Sequence, residues 1–71
     1  MLFMTRVVEL EGGHEVTVTL KRSDHWWIEL IDLETDPPHE IEGPPKGPYA
    51  DEAEALDAAR KISEAALRDL N

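Results

Sequence analysis

The sequence predicts an α+β domain: an antiparallel sheet of three or four strands with one C-terminal helix packed across one face. Three observations carry this. The first half of the chain falls into short runs rich in valine, threonine, isoleucine and tryptophan, one of them alternating cleanly. Those runs are separated by turn residues, a Gly-Gly pair and an Arg-Ser-Asp segment. Residues 50–71 lack proline and glycine and repeat apolar side chains at helical spacing.

Residues 2–10, LFMTRVVEL, read as the first strand. EGGHE follows, and Gly12 and Gly13 supply the positive φ angles of a tight hairpin turn. In EVTVTLK, Val16, Val18 and Leu20 point one way, and Glu15, Thr17, Thr19 and Lys21 the other. RSD makes a second turn, and HWWIELIDL is the third strand. Strict alternation puts Trp26, Ile28 and Leu30 on one of its faces and Trp27, Glu29, Ile31 and Leu33 on the other.

The next segment, TDPPHEIEGPPKGPY, holds five prolines and two glycines and excludes a helix. A short edge strand at Glu40–Glu42 is expected, with the remainder an ordered crossover loop. Pro45 and Pro48 have the PxxP spacing of a groove ligand, though stiff connection is the more ordinary role. The helix then starts at Asp51 as N-cap, with Glu54 completing a capping box. Asp57–Lys61 and Glu64–Arg68 are i,i+4 pairs. Ala55, Leu56, Ala59, Ile62, Ala66, Leu67 and Leu70 form the stripe that meets the sheet.

Residues 1–71 are read as one domain, near the lower size limit for a self-sufficient core. With no cysteine, neither a disulfide framework nor a thiolate metal cage supports it. MLFMTRVVEL lacks the features of a signal peptide, and no run is apolar enough for a membrane span. A cytoplasmic protein without membrane contact is expected.

Sixteen acids against seven bases leave a net charge of −9, which argues against direct binding of nucleic acid. Eleven of those acids lie between Ser23 and Asp57, with Lys46 their only base; the rest of the chain is nearly balanced. High acidity also keeps small proteins soluble and accompanies life in high salt.

The inventory for chemistry is thin. Ser23 and Ser63 are the only serines, and His14, His25 and His39 each fall in or beside a turn, with nothing to bring them together. Asp32, Glu34 and Asp36 have the 1, 3, 5 spacing of an EF-hand loop, but Pro37 and Gly43 stand where glycine and the bidentate glutamate belong. Neither enzyme, cofactor nor specific metal site is expected.

One helix covers one face of a sheet, so the other apolar set stays open to a partner. The candidate partner-binding residues are Trp26, Trp27, Glu29, Ile31, Asp32, Glu34, Asp36, Glu40 and Glu42, joined by the acids of the first helical turns. A tryptophan would anchor the contact and the carboxylates would steer it toward a basic surface. Strand order also resembles part of the double-stranded RNA-binding fold, but that helix starts with a basic cluster where this chain has Asp51 and Glu52.

In size, charge distribution and aromatic content the chain resembles the small phage-encoded inhibitors, anti-CRISPR proteins among them. That likeness implies an inhibitor whose carboxylates occupy positions of phosphates in a basic nucleic-acid groove. The alternative is a small accessory domain that pairs with itself as a homodimer through its second face, its acidity serving solubility or salt adaptation.

Overall fold

A computed structural model describes residues 1–70, with side chains through Asp69. The expected α+β architecture is present: an antiparallel sheet with one C-terminal helix packed on it. Strands β1 (Leu2–Glu9), β2 (Glu15–Arg22) and β3 (Trp26–Leu33) form a meander. β4 (His39–Ile41) and β5 (Lys46–Tyr49) both pair with the far edge of β3, one after the other along its length. Helix α1 (Glu52–Leu70) closes the chain.

Local chemistry explains the boundaries. Gly12 and Gly13 both adopt φ of +81°, inside a single 3-10 turn that joins β1 to β2. That turn fixes a register in which Glu9 faces Glu15 and Leu2 faces Arg22. At the helix start the Glu54 N–H donates to Asp51 Oδ1 at 2.8 Å, and the Ala50 N–H donates to Glu54 Oε2 at 2.9 Å. The first bond satisfies an N–H that the first helical turn leaves free, and the second ties the residue before the cap to Glu54, one position earlier than a capping box places it. Asp57 pairs with Lys61 as expected, whereas Glu64 pairs with Arg60 instead of Arg68.

The core lies between α1 and one sheet face. Val16, Val18, Leu20, Ile28, Ile31, Leu33, Ala55 and Ala59 are all buried there. Each large aliphatic side chain so enclosed contributes about 1.5–3 kcal/mol of transfer free energy. Alanines at 55 and 59 let the helix approach the sheet closely. Ser63, which the apolar periodicity passes over, is also fully buried on this stripe; its Oγ donates to the Ala59 carbonyl at 2.7 Å and so leaves no orphaned hydroxyl.

Two readings of the sequence are corrected here. Strict alternation in β3 fails because the register with β2 shifts after Thr19–Leu30, so that Leu20 faces Ile28. The extra residue at the bulge moves every later side chain to the opposite face. Trp26, Ile28, Ile31 and Leu33 therefore point to the helix, and Trp27, Leu30 and Asp32 point away. The segment expected as a loop after β4 also forms β5. Proline is tolerated there because β5 pairs on one side only. Pro48 of the PxxP spacing is thus built into the sheet, with Pro45 just before the strand.

Candidate acidic and aromatic interface

Among the described residues, the sheet face turned away from α1 has no second layer. Cross-strand partners share a face, so its composition follows from the registers. At one end Glu9 lies opposite Glu15, and the Glu15 carbonyl accepts the Glu34 N–H at 3.2 Å. In the next row Val7, Thr17, Asp32 and Glu40 lie side by side. Thr17 Oγ1 donates to Glu34 Oε1 at 2.8 Å, which draws that carboxylate over the face. Thr5, Thr19 and Leu30 follow, and then Phe3, Lys21 and Trp27.

This face is polarised. Five carboxylates with no lysine or arginine among them occupy two rows at one end. Phe3, Leu30 and Trp27 gather toward the other, with Lys21 Nζ 5.7 Å from the centroid of Trp27. Directly opposed like charges are unfavourable in a sheet. Two such oppositions, Glu9–Glu15 and Asp32–Glu40, occur here.

The two tryptophans have separate fates. Trp26 packs against the core from the helix side, with the Arg22 guanidinium 5.6 Å from its ring. Trp27 stands half-buried on the open face, where Gly47 of β5 flanks its ring. The Gly47–Pro48 segment opposes Trp27 at the β3–β5 irregularity, and a Cβ on Gly47 would meet Trp27 Cε3 and the Trp26 carbonyl at 3.0 Å. The proline-rich segment thus screens part of this tryptophan and leaves the acidic rows open.

The other expected contact residues divide. Asp32, Glu34 and Glu40 belong to the acidic rows. Ile31 does not: it is 2 % exposed and faces the helix, a consequence of the bulge. Glu29 sits at that bulge, half-buried beside the crevice between β4 and β5, and its Oε2 is buried without a hydrogen-bond partner. Asp36 lines a separate cleft beside Leu67. Glu42 is exposed just after β4. The acids of the first two helical turns lie on the opposite layer and have partners of their own: Glu52 pairs with Arg6 at 2.7 Å, Glu54 accepts the Ala50 N–H, and Asp57 pairs with Arg60 and Lys61. Hydrogen bonding to Arg60, then to Lys61, holds the Asp57 carboxyl below its ordinary range, while Asp57 raises Arg60 in return.

Glu9 and Glu15 join the acidic rows although they lie outside the acid-rich span between Ser23 and Asp57. The signal was available: a turn centred on Gly12 brings residues 9 and 15 together, and Glu15 belongs to the polar side of β2. His14 and His39, distant in sequence, line the same cleft as Asp36, about 360 Å³ in volume. Among the described residues, no three histidine, aspartate or glutamate side chains are arranged to hold a metal ion. The EF-hand spacing is interrupted physically, because Asp32 lies inside an extended strand while Asp36 turns to the other side. No described helix is long and apolar enough to cross a membrane. No protein family, curated protein or solved structure matches this chain.

Proposed function

We propose that the chain is a non-enzymatic interaction protein whose open sheet face occupies a basic, nucleic-acid-binding surface on a partner protein. The observation that carries this reading is the pair of acidic rows, Glu9–Glu15–Glu34 and Asp32–Glu40, on an uncovered face. Side chains in such rows are spaced about 5 Å across strands and about 7 Å along them. A regular anionic array of that kind suits lysines and arginines that otherwise neutralise phosphates. A face built for solubility alone gains by interleaving charges of both signs. Trp27, with Leu30 and Phe3, supplies the apolar anchor beside the charge. Association is fast and salt-sensitive, because steering acts before contact. This is the inhibitor mode implied by the likeness to small phage-encoded proteins.

The test is capture from nuclease-treated extract with wild-type bait and with a Glu15→Lys, Asp32→Lys bait. Wild type is expected to retain a nucleic-acid-binding protein that salt and double-stranded DNA displace, and the charge-reversed bait to lose it. A partner held equally by both baits, or no partner at all, refutes the proposal. A second reading, the accessory domain that pairs with itself through its second face, draws support from Phe3 and Val7, each more than half exposed on that face.

A further inference from the structure

We infer that β1 is a self-pairing edge, and that two copies of this chain join antiparallel through it into one continuous sheet. The inference is independent of what the acidic rows bind. Among the described residues, the large hydrophobic side chains with greatest exposure all lie at this edge: Met1 86 %, Leu2 54 %, Phe3 53 % and Val7 63 %. They project from both faces of the strand, so no single layer laid on one face would cover them. A second strand alongside β1 shelters both sets together.

The backbone is free to receive it. Among the described residues, β1 pairs only with β2. The Leu10 N–H donates to the His14 carbonyl at 2.7 Å, which makes residues 10 and 14 a hydrogen-bonded pair. Such pairs alternate along an antiparallel ladder. Even-numbered residues of β1 therefore bond to β2, and Phe3, Thr5, Val7 and Glu9 turn their N–H and C=O groups outward. Arg6 Nη1 donates to the Thr5 carbonyl at 3.0 Å, consistent with that carbonyl facing out. A carbonyl keeps a second lone pair. The strand has no proline, and an edge this long and apolar is a template for another strand.

The side chains select one register. With the two-fold axis at Thr5, Phe3 of one copy lies opposite Val7 of the other, Leu2 opposite Val8, and Thr5 opposite Thr5. Outward groups then meet outward groups, giving about six inter-chain hydrogen bonds. Moving the axis to Arg6 would oppose two guanidinium groups and set Phe3 against Glu9, both unfavourable. Arg6 at the Thr5 register faces Met4 and brings no unbalanced charge, since it is paired with Glu52. Antiparallel pairing also sends the acidic rows to opposite ends, with the two Glu9 residues about 27 Å apart. That separation exceeds the Debye length at physiological salt, about 8 Å, so the acids do not oppose association.

The test is the mass of the intact chain by sedimentation equilibrium, with two variants. Thr5→Pro removes an outward N–H that no intrachain bond uses, and Val7→Lys puts a charge on an exposed interface position. Wild type is expected at the mass of two 8.0 kDa chains. Each variant is expected to weaken the dimer at least about tenfold, about 1.4 kcal/mol, with helical circular dichroism unchanged. Leu30→Lys, on the open face and away from the edge, should leave the dimer intact. A wild-type monomer at about 100 μM overturns the inference. So does a dimer that survives both edge variants, or one that Leu30→Lys dissolves, since it would be packed face to face.

Discussion

Replacing Glu15 by glutamine should make this protein more stable and a poorer binder. Glu15 lies opposite Glu9 in the β1–β2 register, and its carbonyl accepts the Glu34 N–H on the other side. Two carboxylates about 6 Å apart repel by about 0.7 kcal/mol in water before screening. The Debye length of about 8 Å at physiological salt roughly halves this, and two such neighbours bring the total to about 0.6 kcal/mol. For a domain of this size that raises Tm by about 2–5 °C. The assay is a pair of far-ultraviolet circular dichroism melts, at low and at high salt. The variant should melt higher than wild type at low salt, and the gap should narrow at high salt as the wild-type repulsion is screened. The same substitution should weaken partner capture, because a site kept for binding is held at a cost in stability. A lower Tm, or a gain that salt does not touch, would refute the claim that these carboxylates strain one another.

Gly47→Ala should cost about 1–3 kcal/mol, because φ at this position is +145° and the new Cβ would press on the Trp27 ring and the Trp26 carbonyl; a lower urea midpoint and red-shifted tryptophan emission are expected. Leu20→Ala, in a fully buried position against the helix, should cost about 2–5 kcal/mol by denaturant titration. Asp57, held below the ordinary carboxylate range by Arg60 and then Lys61, contributes stability that is present above its unfolded-state pKa and lost as pH falls through the lowered folded-state value. Asp57→Asn should therefore flatten the acid limb of a stability–pH profile and leave the shape near neutrality unchanged. Trp27→Ala should raise the dissociation rate of a captured partner while the far-ultraviolet spectrum stays native, as surface-plasmon kinetics would register.

Much of the fold was legible because it depends on neighbours in sequence. Alternation in EVTVTLK marks a strand with one buried face, and Val16, Val18 and Leu20 are that face. Gly12 and Gly13 can take the positive φ that a tight reversal demands, and they take it. Asp51 and Glu54 stand three apart because a helical start needs acceptors there; Asp51 caps Glu54 as expected, and Glu54 accepts from Ala50, one residue before the cap. Short-range steric and hydrogen-bond requirements leave few alternatives for such stretches.

The remaining features required the tertiary structure. Whether Ile31 or Leu30 entered the core turned on one inserted residue in β3, since both alternating sets of Trp26–Leu33 are mostly apolar and only packing against β2 and α1 chooses. β5 forms despite its proline because β3 offers an unfilled edge, a fact no local propensity records. The acidic surface was read from a continuous run of charge, yet strand pairing assembles it differently: it recruits Glu9 and Glu15, sends Asp36 to another cleft and leaves the helical acids with their own partners. Sequence by itself determined an α+β arrangement with an excess of carboxylates. Only the folded sheet decided which carboxylates stand together, because side chains on one face meet across strands that the chain reaches many residues apart.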